Sequence, residues 1–570
     1  MGSLVLKHAV RGLLSDRAFT VTASLTLALG IGLSTAVFTV SQALLLRDLP
    51  VRDQERVVVL WGETADRSFT SFPLTYDQAR EFQARARSLE SAAFFSYYGA
   101  WLAPIRDGND IDRLRLAEVS GAFFDVLGAR PVIGRALRIE DDRVGARPVA
   151  VLSHAAWRRL YGGDAGAIGR PVVEHGSGVA YEIVGVMPPG LDLPHGAELW
   201  VPLVPATTRP GTDTVQADVH VVGRLAPGAT PAAARDELTS WFGRAESPPS
   251  MRDLHAVATP LPRLILGDVR PALIAFLAAC ALLLLITCSN VANLLLVRGV
   301  ARQREIAVRV VLGADRTRLI GQLLAENAAL AAVGGALGTV VAAVALHAFV
   351  TFAPSSVPRL DEIRLDAGAL LGAFAITSVA LVVFSLAPLW IALRADLRAA
   401  TGSGRDTAGR RSRRAAEAIV AAQLVLAVVV LSAAGLVVRS LLNLEGAHLG
   451  IDPRRVLIGE LAVRADLVAD GEKQRVLVDR TLAEVRALPG VAAASPVVAV
   501  PFSGSSGWDG RLARDGQSAE EAGRNPMINI EVVVPEYFAT FGIAPARGRL
   551  LSEEDREGAT PVVVLGEAAA

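Results

Sequence analysis

Hydrophobic and polar positions divide the chain into two kinds of segment. Residues 18–46, 271–297, 328–352, 367–393 and 418–438 contain no Asp, Glu, Lys or Arg. Each run is long enough to cross about 30 Å of hydrocarbon as a helix, so five membrane helices are predicted, the fifth extending over 418–444. Residues 47–267 follow another pattern, with short apolar runs punctuated by Gly and Pro. Strands are expected at 56–61, 148–152, 181–186 and 219–225. A helix is expected over 74–88, and another from Thr230-Pro231, a good cap followed by a good first helical residue. This is an α+β soluble domain inserted between the first two membrane helices. Residues 1–17 set Lys7, Arg11 and Arg17 among leucines and read as a surface amphipathic helix. The apolar run after them is too long for the core of a signal peptide and lacks a small-residue cleavage site, so it reads as a retained membrane helix.

The last segment, 445–570, resembles the first outer domain. Phe124, Gly128, Pro131, Gly134, Arg135, Leu137, Glu140 and Asp141 match Phe538, Gly542, Pro545, Gly548, Arg549, Leu551, Glu554 and Asp555. After a one-residue gap, 148–152 matches 561–565, and a helix is expected near 472–488. The chain therefore holds an internal duplication, and the second copy is read as truncated at residue 570. Within the membrane runs, Gly30, Gly32 and Ser34 offer small surfaces for helix contact, as do Gly334 and Gly338, while Pro388 should bend the fourth helix.

Charge orients the helices. Residues 298–318 hold six Arg against Glu305 and Asp315, and residues 394–414 hold seven Arg against Asp396 and Asp406. The loop 353–366 holds Arg359 and Arg364 against three acids. The N-terminus, 298–318 and the linker 401–417 are thus expected in the cytoplasm, with 47–267 and the segment after 444 outside. Arg298, Arg302, Glu305 and Arg309 recur at spacings of four, three and four, which places them on one helix face, with Ile306 and Val310 on another. Gly313 can end that helix in a left-handed cap and Asp315 can start the next. Residues 298–326 therefore read as a rigid helical hairpin at the cytoplasmic surface, suited to receive a push from a partner.

The net charge is zero, which gives no argument for nucleic acid. The only lysines are Lys7 and Lys473, and neither lies in a Gly-x-x-x-x-Gly-Lys-Ser/Thr motif, so a P-loop ATPase is not expected in this chain. The eight histidines show no metal-ligand spacing. Cys280 and Cys288 would stand about 12 Å apart along one helix, too far for a disulfide. Gly504-Ser505-Ser506-Gly507 is not a nucleophile elbow. The acidic pairs Asp141-Asp142 and Glu553-Glu554-Asp555 read as solvated turns. Asn290 and Asn293 are candidates for hydrogen bonds between helices. Membrane runs without ionisable residues disfavour an ion-coupled carrier.

The segment Cys288-Ser-Asn-Val-Ala-Asn-Leu-Leu-Leu-Val-Arg298, with Arg304-Glu-Ile-Ala-Val-Arg309 and Leu312-Gly-Ala314, resembles the signature of FtsX/MacB-type ABC transporter permeases. It is similar above all to their duplicated form, the ADOP permeases of acidobacteria. The resemblance implies an α-helical transmembrane protein with inserted α+β periplasmic domains: a first periplasmic core domain at 47–267, an FtsX-like permease domain at 268–400 and a second, incomplete core domain at 445–570. It implies a multi-pass protein of the bacterial inner membrane that couples to a separate ATPase subunit through the hairpin. The expected contacts are Arg302, Arg304, Glu305, Arg309, Gly313, Ala314, Arg316 and Arg318. ATP and Mg would be bound by that subunit, with no cofactor or metal in this chain. The implied activity is export of drugs, peptides or lipoproteins, with a periplasmic adaptor as a further partner and a pseudo-dimeric full-length assembly. An FtsX-like regulator of cell-envelope hydrolases, or a membrane scaffold needing no ATPase, remain the alternative readings.

Overall fold

The computed structural model describes residues 16–46, 49–64, 70–107, 110–191, 193–207, 217–244, 254–266, 270–301, 316–353, 363–394, 405–446, 450–451, 455–459, 471–498, 508–522, 525–526, 528–556 and 558–567. The chain divides into two units, Met1–Arg47 with Leu266–Gly446, and Asp48–Ile265 with Ala447–Ala570.

Among its described residues the first unit has five long helices: α1 (Arg17–Ser41), α2 (Arg270–Ala301), α3 (Arg316–Phe352), α4 (Ala367–Arg394) and α5 (Arg405–Glu445). Each is long and apolar enough to cross a membrane. The Asp16 carboxylate accepts a hydrogen bond from the Phe19 amide and so caps α1, and a π-helical turn over Gln42–Leu46 extends its far end. Leu27 and Ile31 of α1, Cys288 and Val291 of α2, Leu330 of α3 and Phe384 of α4 share one buried core.

Close approach is set by small residues. A Cβ on Gly30 would lie 2.5 Å from the Thr287 hydroxyl of α2, and one on Gly32 would lie 2.7 Å from the backbone carbonyl of Gly338 on α3. A Cβ on Gly334 would meet Leu27 at 2.7 Å. The Ser34 hydroxyl donates to the Cys280 carbonyl. Lipid tails are as apolar as leucine, so helix association depends on this interlocking of shape rather than on expelling water.

One sequence expectation needs adjusting. The segment 401–417 is helical from Arg405 onward, because its Ala and Arg residues favour continuing the fifth helix. Helix α4 runs through Pro388 to Arg394.

In the second unit, residues 49–265 form one mixed sheet. Its strands are β1 (Val57–Thr64), β2 (Leu74–Thr75), β3 (Leu89–Asp107), β4 (Asp110–Val119), β5 (Ile133–Gly134), β6 (Val149–Leu152), β7 (Pro171–Glu174), β8 (Ala180–Val186), β9 (Leu199–Pro202), β10 (Asp218–Leu225) and β11 (Leu254–Pro260). The order is β11-β1-β10-β3-β4-β9-β6-β8-β5, with β2 added to β10 and β7 to β3 and β8. Among the described pairings of this sheet, only β4–β9 and β6–β8 are parallel. Two separate cores flank the sheet, one under helices Tyr76–Arg85 and Pro231–Phe242, the other under His154–Tyr161. A third core, containing Val57, Val59 and Trp200, draws on both halves of the sheet. Strands buried on both faces have no reason to alternate, hence the unbroken Val57-Val58-Val59-Leu60.

The helix expected over 74–88 spans Tyr76–Arg85. Leu74 and Thr75 pair with β10, Thr75 and Gln78 form a capping box, and the Arg87 and Ser88 amides donate to Glu237 rather than continuing the helix. The strand β3 was not visible as one element. It shifts register against β4 between Phe95 and Ala100, where Gly99 takes φ +65°.

In the repeated acidic loop Glu553 and Glu554 are exposed, as expected of a solvated turn, but the aspartates are partly buried and hydrogen-bonded. Arg135 donates two hydrogen bonds to Asp141, at 2.6 and 2.9 Å, and Arg549 donates two to Asp555, at 2.6 and 2.7 Å. The carboxylate also accepts the Arg138 amide in the first copy and the Ser552 amide in the second. Asp142 accepts the Gly121 and Val204 amides, tying the first loop into its domain.

The second copy contains the helix Gly471–Arg486, a two-stranded ladder of β12 (Trp508–Gly510) and β13 (Ile528–Ile530), and the helix Glu536–Phe541. That short helix stops at Gly542 with φ +69°, as Phe123–Leu127 stops at Gly128 with φ +67°. Residues 561–565 do not form the expected strand. In the first copy the matching segment, β6, lies between β8 and β9.

Two predictions follow from these packings. Gly32→Val and Gly338→Val should each destabilise the helical unit by about 1–3 kcal/mol through overpacking. Gly435→Val, where a Cβ meets nothing within 4 Å, should not. Thermal unfolding of the detergent-solubilised chain distinguishes them.

The second concerns opposed buried groups in the outer domain. Burial lowers His220 from 6.5 to about 4 and pushes Glu118 up from 4.5 to about 7. As pH falls from 6.5 to 4 the unfolded chain protonates His220 and the native state does not, so this residue costs up to about 3 kcal/mol of stability on acidification. Glu118 has the opposite sign: as pH rises from 4.5 to 7 the unfolded chain ionises first, and a similar stability is lost on going up. Urea unfolding of residues 50–262 should show this directly. The stability difference between wild type and His220→Gln should rise with pH across that window, and that between wild type and Glu118→Gln should fall.

Candidate functional site

The sequence places the contact surface on the segment joining α2 to α3. Arg302, Arg304, Glu305, Arg309, Gly313 and Ala314 lie outside the described residues. Arg316 and Arg318 form part of the first turn of α3. The structure therefore defines the site through the two helices that grip it.

Helix α2 runs without interruption from Arg270 to Ala301, so Arg298 belongs to its last turn rather than to a separate surface helix. A cation there complements the negative end of the helix dipole. Its guanidinium stacks 4.6 Å from the ring centroid of Phe19, in the first turn of α1. The end of α2 is thereby held against the start of α1, and Cys288, Val291 and Ala292 continue that packing into the core.

On the other flank, α3 carries Gln322, Glu326 and Asn327. The sequence places Glu326 at the end of a water-facing hairpin, but it is only 8% exposed. Helix packing explains the difference, because α3 begins at Arg316 and Glu326 already lies three turns inside it. Gln322 Nε2 donates to Glu326 Oε1 at 3.3 Å, four residues away on the same face. Asn327 Nδ2 donates to the Ser385 hydroxyl of α4 at 3.0 Å, and both residues are buried. Asn290 is exposed and Asn293 half-buried. Among the described residues, the amide that bonds between helices is thus Asn327.

Phe19, Asn327 and Ser385 escaped the sequence reading, and the burial of Glu326 was not foreseen. The available signal was the pair Glu326-Asn327 at the boundary between an Arg-rich and an apolar run, where polar residues need partners once buried. Among the described residues, no group of three or more His, Cys, Asp or Glu could hold a metal. The arrangement is two helix ends packed into a bundle, joined in sequence by an Arg-rich segment.

Comparison with known proteins accords with this architecture. A family model described as MacB-like periplasmic core domain matches residues 20–241 and again 418–570, and one described as FtsX-like permease C-terminal matches 277–397. The chain is 27% identical over 247 residues to the macrolide export ATP-binding/permease protein MacB of Pasteurella multocida, covering 42% of this chain and 36% of that protein. It is 24% identical over 294 residues to the MacB of Burkholderia thailandensis, covering 50% and 42%. The chain thus spans well under half the length of these curated relatives. Among solved structures, the periplasmic region of MacB from Actinobacillus actinomycetemcomitans aligns with a TM-score of 0.29 at 14% identity, over 39% of this chain and 94% of that one. The extracellular domain of the noncanonic ABC-type transporter YknZ from Gram-positive bacteria aligns with a TM-score of 0.27 at 16% identity, over 36% and 99%. With two core-domain matches covering more than half of its length and a permease match between them, the chain belongs to the FtsX/MacB-type permease family, as a membrane protein with periplasmic domains.

Proposed function

We propose that the chain is the permease part of an ABC transport system working by mechanotransmission, in the duplicated ADOP form. A separate ATPase binds ATP and Mg and docks on the segment between α2 and α3, through Arg302, Arg304, Glu305, Arg309, Arg316 and Arg318. Gly313 and Ala314 set the turn in that segment. The protein is a multi-pass component of the inner membrane, and the full-length assembly acts as a pseudo-dimer.

The observation that carries this reading is the contact of α3 with α1 at Gly32 and Gly338. In sequence, α3 follows the docking segment and α1 precedes the first periplasmic domain. Two helices in backbone contact cannot slide past one another without collision, so displacement of one displaces the other. Such movement serves export of drugs, peptides or lipoproteins from the periplasmic side, together with a periplasmic adaptor. The MacB relatives, which are described as macrolide exporters, support the export class.

Topology is the first test. Cysteine labels at 110 and 510 should react from outside, and labels at 310 and 405 only after permeabilisation. A label at 110 reacting only from the cytoplasm would overturn the membrane arrangement.

Docking is the second. Glu305 is the one acid between Arg298 and Asp315, and it can pair with an arginine on the ATPase. Glu305→Arg should weaken ATPase association by about 1–3 kcal/mol through like-charge repulsion. Gly313→Val should misorient the segment without changing its charge. Pull-down of the ATPase at equal membrane insertion reads both effects. Equal binding by wild type and both variants would reduce the segment to an ordinary Arg-rich cytoplasmic loop.

A further inference from the structure

Two interfaces lead away from α3, and they are built differently. Towards α1 the contact is steric, with glycine backbone against glycine backbone. Towards α4, a Cβ on Gly335 would lie 2.8 Å from Thr377, and nearer the docking segment Asn327 donates to Ser385 at 3.0 Å. Asn327 is 6% exposed and Ser385 4%. In an interface lined otherwise by Leu330, Ala331, Ala380 and Phe384, this bond sets axial register. Sliding α3 along α4 would break it and leave two polar groups facing hydrocarbon, whereas apolar contacts re-form after a small shift. The bond also lies next to Glu326, which is buried and bonded to Gln322 on the side facing the docking segment. Helix α4 leads in sequence to α5 and then to the second periplasmic segment.

We propose that Asn327 and Ser385 are positioning residues forming the joint through which movement of the docking segment passes from α3 to α4, and so towards the second half of the chain. The proposal rests on the coupling reading above. The glycine contact serves the route through α1 to the first domain, and the hydrogen bond serves the route through α4. Loss of the bond uncouples the second route and leaves the first intact.

The test uses the full chain in nanodiscs with its co-purified ATPase and MgATP. Fluorescent labels are placed at the exposed positions Arg113→Cys, in the first domain, and Arg480→Cys, in the second segment. Asn327→Ala, Ser385→Ala and the double variant should each reduce the ATP-driven response at position 480 by roughly three- to tenfold, within the usual range for residues that couple sites. The response at 113 and the affinity for the ATPase should stay at wild-type values. The double variant should be no worse than either single one, because all three lose the same bond. Exchanging the partners, Asn327→Ser with Ser385→Asn, should restore the response. Equal losses at 113 and 480 would mean a general structural role and would overturn the proposal, as would additive effects or no effect. If neither label responds in the wild type with ATPase bound, the coupling reading itself fails, and this proposal fails with it.

Discussion

In hydrocarbon a helix bundle gains little from hiding apolar side chains, because lipid hides them equally well. What holds α1, α2 and α3 together is therefore how closely their surfaces fit, and the point where backbone meets backbone is the Gly338 carbonyl facing Gly32. The rest of the helical unit is arranged around that approach. Leu27 and Ile31 reach the shared core because Gly334 and Gly338 leave room for them. Gly30 brings α1 against Thr287, and Ser34 adds a hydrogen bond to the backbone of α2. A single methyl group at these positions would meet either a backbone atom or a side chain already packed on its other face.

Much of this was legible in the sequence where one physical rule governed one stretch. The five membrane helices follow from length without charge, and Thr230-Pro231 starts its helix where capping chemistry says it should. The small residues of α1 and α3 were recognisable as contact points, although the sequence could not pair Gly32 with Gly338. Elements defined by distant partners were less legible. The strand β3 continues through a register shift because β10, β4 and β7 each pair with part of it. Asp142 looked like half of an acidic turn, yet its two amide donors lie at Gly121 and Val204, far away in sequence. Residues 561–565 repeat the apolar pattern of 148–152 without forming its strand, since a strand needs neighbours as well as a pattern.

The candidate site was half legible. Its charge spacing stands out in the sequence, but the structure adds what charge spacing cannot show, namely how the flanking helices are fixed. Arg298 counts as one more loop arginine until Phe19, distant in sequence, is found beneath it. Glu326 and Asn327 look like the tail of a surface hairpin until the length of α3 places them inside the bundle. Polar residues at such a junction have two roles at once: they end the water-facing surface and begin the internal hydrogen bonding.

Helix α5 shows what the duplication has and has not preserved. Aligning Leu33-Ser34-Thr35-Ala36 of α1 with Leu431-Ser432-Ala433-Ala434 of α5 brings Val428 and Val430 to the places of Gly30 and Gly32. The atom that a side chain at position 32 would strike is a backbone oxygen, so no substitution in a neighbouring helix could make room for valine at that distance. Any helix beside α5 at this level must stand further off than α3 stands from α1. The two copies thus share sequence signatures, while α5 is free of the backbone-to-backbone constraint that fixes α1.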